Sequence, residues 1–211
     1  MLRSAAVSAA SLLLFVATTG CGDSSARGVA SRSVGRTCHG PITIHGAADL
    51  DLLTGCTSID GDLHIESTTL TSLAGFERLT SVHYLVISGN DALASVSGLS
   101  GLHSAVGVTV HANPALGSLA GLENLRSLEG LVITDSGVTS LAGLDGLISV
   151  GDLVIVGNPA LSTLVGAPRL SAVENLDVEK NGRLTGVAEL GRVEIGGASY
   201  TDLRGAIVAR R

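Results

Sequence analysis

LVITDSGVTSLAGLDGLISV, residues 131–150, is followed after Gly151 and Asp152 by LVIVGNPALSTLVGAPRLSAV, residues 153–173, which is the same phrase written again. Working outward in both directions, that phrase starts at Leu63, Leu85, Val108, Leu131, Leu153 and Leu176, so the period is 22 or 23 residues. Self-similarity in this range marks a solenoid, in which each repeat is one coil stacked on the last. The first apolar column is formed by the six starts themselves. The second, two residues on, holds Ile65, Ile87, Val110, Ile133, Ile155 and Val178. Spacing of two with β-branched residues is the strand signal, alternate side chains lying on one face. Five more columns begin at Leu70, Leu73, Phe76, Leu79 and Val82, and of the resulting 42 positions only Gly196 is not apolar.

The second half of each unit keeps a spacing of three, as in Leu119, Leu122, Leu125 and Leu128. An amphipathic α-helix alternates three and four. Strict threes predict a tight bent path made of short strands or 3₁₀-like turns. Gly75, Gly98, Gly121, Gly143 and Gly166 recur between two of the apolar positions and suit a repeated corner. Asn90, Asn113, Asn158 and Asn181 mark another corner, each followed by a turn former: Asp91, Pro114, Pro159 and Gly182. The units with Asn carry one more residue before the next apolar column than those with Thr68 or Ser136 in its place. These four asparagines are therefore expected to be structural, bonding backbone groups inside the coil. Ser72, Ser95, Ser118 and Ser140 read as a ladder of hydroxyls and not as nucleophiles.

The fold expected is all-β, a right-handed parallel β-solenoid of about seven coils resembling a leucine-rich repeat, occupying residues 38–211 with an irregular C-terminal cap from about 197. Only 2% of the residues are aromatic, so the coil is narrow and filled by Leu, Val, Ile and Ala. Such a stack is stable only with both ends covered.

Residues 1–20 read as a secretory signal: a basic start at Arg3, an apolar run through Leu12–Val16, then small residues, too short to span a membrane. The end, Thr18-Thr19-Gly20-Cys21, resembles the bacterial lipobox in Gly20 and Cys21 and departs from it at Thr18, where Leu is usual. The resemblance implies cleavage before Cys21 and acylation of its thiol and amino group, and several acyl chains give stable anchoring. Residues 21–37 then form a lipidated N-terminus and a small, polar, flexible tether. The three cysteines, Cys21, Cys38 and Cys56, are an odd number for an exported protein. Lipid on Cys21 leaves Cys38 and Cys56 to pair, closing a loop whose constraint contributes about 3 kcal/mol. Export to the bacterial envelope follows from the signal, with the leaflet left open.

From Cys56 the chain reads C-T-S-I-D-G-D-L-H-I, and coils of the form L-V-I-x-G-N-x-A-L-x-S-L-x-G-L-x-x-L follow. Over residues 38 to about 197 this resembles the receptor L domain, the leucine-rich ligand-binding module of the epidermal growth factor and insulin receptors. The resemblance implies a right-handed β-solenoid, and Cys38 and Cys56 match the family's opening disulfide. No hormone-contacting motif of the family is present, and a fold does not transfer a function.

The net charge of −6 is thinly spread over 15% charged residues, without a basic patch or stacking aromatics, so nucleic acid is excluded as a partner. No catalytic motif, cofactor fingerprint or metal-ligand spacing occurs. If the strand columns point inward, their neighbours form outward rows: His64, Val86, Thr109, Val132, Val154, Asp177, and Glu66, Ser88, His111, Thr134, Val156, Glu179. Tyr84 stands at the edge of the first. Tyr84, Val86, Thr109, Val132 and Val154 are the candidate partner-facing residues, with no catalytic, cofactor or metal residues assigned. The expectation is a lipid-anchored, non-enzymatic module for protein interaction or adhesion, its ligand an unidentified protein or a glycan. The alternatives are a passive envelope component and a carbohydrate-active solenoid enzyme.

Overall fold

The structure, a computed structural model, describes residues 35–190 and 192–201. The signal expected at 1–20, the lipid attachment expected at Cys21 and the expected tether as far as 34 lie outside the described residues, as does the end of the expected cap, 202–211.

Ten strands follow in chain order: β1 (Arg36–Cys38), β2 (Ile42–Ile44), β3 (Cys56–Ile59), β4 (Leu63–Glu66), β5 (Tyr84–Ser88), β6 (Gly107–His111), β7 (Ser127–Thr134), β8 (Ser149–Val156), β9 (Ala172–Glu179) and β10 (Glu194–Thr201). Eight of them form one parallel sheet in the order β10-β9-β8-β7-β6-β5-β4-β2, and β1 pairs with β3 in a small second sheet. Strands adjacent in the large sheet are one coil apart in sequence, and the molecule is a β-solenoid of about seven turns. Strand β1 takes in Arg36 and Thr37, the last two residues read as tether, and β10 runs in register with β9 across residue 197, where the sequence suggested irregular structure.

The column assignment is borne out by burial. Both strand columns from Leu63 and Ile65 to Leu176 and Val178 are buried, as are Leu119, Leu122, Leu125 and Leu128. The core thins only at its margins, where Leu70, Ala167, Val187 and Val193 are partly covered. The spacing of three has a direct cause. Leu122 N–H donates to Leu119 C=O (3.1 Å) and Leu125 N–H to Leu122 C=O (3.2 Å). The same bonds run through Leu73, Phe76 and Leu79 and through Leu141, Leu144 and Leu147. Successive i→i−3 turns put every third side chain inside, which is 3₁₀ geometry used as a bent wall.

The glycines of that wall are required chiefly by close approach. A Cβ on Gly143 would collide with the Leu119 carbonyl group of the preceding coil, and one on Gly98 with the Leu73 carbonyl oxygen. Gly143 also has φ +103°, which disfavours any side chain. Ser95, Ser118 and Ser140 stack as a column, but their hydroxyls mainly serve their own chain: each accepts from the N–H two residues on, at 3.2 Å.

The asparagines are buried and do more than the sequence suggested, because their bonds cross between coils. Asn113 Nδ2 donates to Ile87 C=O and to His111 C=O, both at 2.9 Å. Its Oδ1 accepts from Asn90 N–H (3.2 Å) and Asn90 Nδ2 (3.0 Å). Asn158 and Asn181 repeat the pattern, Asn181 Oδ1 receiving Asn158 N–H at 2.9 Å. Thr68 and Ser136 occupy the same column in the shorter coils, and their N–H groups donate to Asn90 Oδ1 and Asn158 Oδ1 at 3.0 Å. The residue just before this column is left-handed in each of the six repeats: Ser67, Gly89, Ala112, Asp135, Gly157 and Lys180, with φ from +51° to +70°. Four of the six are not glycine, so the turn recurs without its usual sequence mark.

Cys38 and Cys56 are disulfide-bonded, with Cα atoms 5.7 Å apart, and tie the first coil to the second. Asp49 Oδ2 accepts from His45 and Gly46 N–H (2.8 and 3.1 Å), setting the start of the 3₁₀ segment Ala47–Leu53.

Leu125, 1% exposed, lies at the centre of this narrow core. Leu125→Ala is expected to lower the unfolding free energy by about 2–5 kcal/mol, because few bulky neighbours can collapse into the space. A urea midpoint equal to that of the parent protein would disprove the inward assignment of its column.

Candidate functional site

The large sheet carries both outward rows in register. His64 pairs with Val86, Val86 with Thr109, Thr109 with Val132, Val132 with Val154 and Val154 with Asp177. The same pairings align Glu66, Ser88, His111, Thr134, Val156 and Glu179. Adjacent coils in such a sheet lie about 4.8 Å apart, so each row is a closely spaced line of side chains. Val86, Thr109, Val132 and Val154 are half-buried among their neighbours, and each sits between two inward-pointing residues of its strand. Tyr84, 39% exposed, stands at the edge of this face. The five candidate partner-facing residues thus share one surface, while Asn90, Asn113, Asn158 and Asn181 are buried behind its far edge.

Polar groups gather at the two ends of the first row and also at the centre of the second. At the N-terminal end His64 Nδ1 and Glu66 Oε1 share a hydrogen bond of 3.1 Å, and the His45 ring meets the Glu66 carbonyl at 3.3 Å. His111 turns to the Thr134 hydroxyl (2.8 Å) and lies 3.6 Å from the Asp135 carboxylate. Among the described residues no three His, Cys, Asp or Glu side chains converge as a metal site would need. At the other end Asp177 is held above the ordinary carboxylate range, first by partial burial and then by the Glu179 charge, with Lys180 opposing. The centre of the first row carries no charge.

A further column lies two residues before the first row, and the sequence reading noted only its aromatic member. Tyr84 pairs with Gly107, Gly107 with Gly130, Gly130 with Asp152, and Asp152 with Asn175. The Tyr84 ring lies along the sheet over Gly107, where an added Cβ would come within 2.8 Å of it. Asp62 Oδ1 holds this arrangement by accepting from Tyr84 N–H (3.2 Å) and pairing with His83 Nδ1 (3.0 Å). The His83 ring meets Tyr84 edge-on, centroids 4.6 Å apart. At the other end Asn175 Nδ2 donates to Asp152 Oδ1 at 2.7 Å. Counting back two residues from each member of the Val86 row would have found the whole column.

Two shallow clefts lie away from this surface. One, of about 380 Å³, is lined by Arg36, Thr37, Cys38, His39, Pro41 and the exposed Leu52; the other, of about 280 Å³, flanks the Ala47–Leu53 segment near Arg78. Neither is lined by any residue of the rows. No helix among the described residues is long and apolar enough to cross a membrane. Comparison with family models, curated proteins and solved structures gave no match to this chain.

Proposed function

We propose that this protein is a membrane-anchored extracytoplasmic lipoprotein whose solenoid is a non-enzymatic module for protein interaction or adhesion. The observation that carries the reading is the in-register row Val86, Thr109, Val132, Val154 on a parallel sheet. It is a flat line of short side chains, uncharged at the centre and polar at both ends, onto which another surface can pack closely. The likeness to receptor L domains adds weight: a bonded cysteine pair opens the solenoid, and leucine columns follow it. The anchor rests on the signal and on Thr18-Thr19-Gly20-Cys21.

Two measurements test the two halves of this reading. Cys21→Ala should free the chain from the membrane fraction or stall its processing. A variant that partitions into detergent as the parent does, with a mature N-terminus elsewhere, removes the lipid anchor. For the docking surface, affinity capture from cell envelopes with the full chain should recover a saturable partner that Val132→Asp no longer retains. An unpaired charge in a desolvated contact costs several kcal/mol of binding, whereas on a half-exposed strand position it barely alters the fold. Capture of the same partner by a normally melting Val132→Asp protein would move the binding surface off this sheet.

A further inference from the structure

We propose that the column Tyr84, Gly107, Gly130, Asp152 is a trough that binds a neutral oligosaccharide. Within a strand, glycine forgoes packing and leaves the backbone bare, so it needs a reason. Among the other described strand glycines, Gly151 and Gly196 have one in the backbone of the preceding coil and Gly197 in the Asn175 side chain. Gly107 has one in the Tyr84 ring that lies over it. Gly130 has none. It sits inside β7, its φ is not left-handed, and a Cβ there would meet no atom within 4 Å. A strand glycine that the fold does not require is where a ligand can approach the backbone.

The surroundings define the ligand. Tyr84 is held by Asp62 and His83 at one end with its ring laid along the sheet, so it offers a flat face to a sugar ring. Asp152 and Asn175, locked together at 2.7 Å, stand at the other end as a paired acceptor and donor for hydroxyl groups. Three coil steps separate Tyr84 from Asp152, roughly 14 Å, the length of a short oligosaccharide. Thr109, Glu129 and Glu174 occupy strand positions next to this column, and no Lys or Arg stands in the column or the positions beside it. Carboxylates accept from sugar hydroxyls and repel anions, which selects a neutral glycan over a uronate or phosphate polymer. This site is on a different column from the Val86 row and does not depend on the docking of a protein there.

The test is calorimetric titration of the full chain, in a detergent without a sugar headgroup. The probes are four neutral hexasaccharides (cellohexaose, maltohexaose, mannohexaose and N-acetylchitohexaose) and hexagalacturonate as the anionic counterpart. At least one neutral probe should bind and hexagalacturonate should not. Tyr84→Ala and Gly130→Val should each weaken that binding by about tenfold or more while the melting midpoint stays that of the parent. Asp152→Asn, which keeps the shape and removes the charge, gives a third reading that does not perturb the floor. Absence of binding by all four neutral probes at millimolar concentration would overturn the proposal. So would tighter binding of hexagalacturonate, or unchanged affinity in the folded variants. Because no protein partner is present in the titration, its outcome is separate from that of the Val132→Asp capture.

Discussion

Asn113→Ala should lower the unfolding free energy by about 3–5 kcal/mol, more than a typical single polar substitution. The amide is fully buried and makes four hydrogen bonds, two as donor and two as acceptor. Alanine removes all four at once. The Ile87 carbonyl and the Asn90 N–H are then left in a dry interior, each unmet group costing about 1–3 kcal/mol. Asn113→Asp separates the terms, since it keeps the acceptor for Asn90 and introduces a buried charge, and it should be at least as damaging. Urea denaturation of the two variants checks this. A midpoint shift worth under about 1 kcal/mol for Asn113→Ala would mean that water replaces the amide and that the column is not dry.

Gly143→Ala is the second large effect. The new Cβ would overlap the Leu119 carbonyl group of the coil beneath, and φ at this residue is +103°. Backbone cannot rotate away as a side chain can, so the two coils must separate at that corner. Overpacking costs about 1–3 kcal/mol and the unfavourable φ about 1–2 more. The expected loss is therefore about 2–5 kcal/mol, from adding one methyl group. Gly117→Ala is the control: no atom lies within 4 Å of its Cβ position, and its stability should be close to that of the parent. Thermal unfolding of the pair decides the point, and equal midpoints would refute the close approach.

The two substitutions also mark how much of the architecture was legible in the residues. The apolar columns from Leu63 to Val193 could be read directly, because each core position recurs at a fixed offset and burial leaves one permitted residue class. The corner glycines could be read as well, although their reason lies in contact with the next coil, which a single repeat does not display. The asparagine column was visible, but not the direction of its bonds. A side chain that reaches 25 or 26 residues back in sequence has no local signal. The left-handed residues Ser67, Ala112, Asp135 and Lys180 could not be read at all, since the coil forces a conformation that these residue types do not advertise. On the candidate surface the Val86 row followed from alternation alone. The Tyr84–Gly107–Gly130 column obeys the same alternation, but glycines read as corners until a strand is known to run through them.

Ser136 interrupts the buried amide column, and its short hydroxyl donates to Thr134 C=O of its own coil at 2.9 Å while accepting Asn113 N–H of the preceding coil at 3.2 Å. Within the column a single side-chain bond therefore joins Asn113 to Ser136, where the amides of Asn90 and Asn113 or of Asn158 and Asn181 make three; outside it, His111, Ser118, Arg126, Thr139 and Ser149 bond across the same two coils. That junction is thus tied mainly from the outer wall, where water competes for each bond, and less from the dry interior, where an unmet polar group is costly.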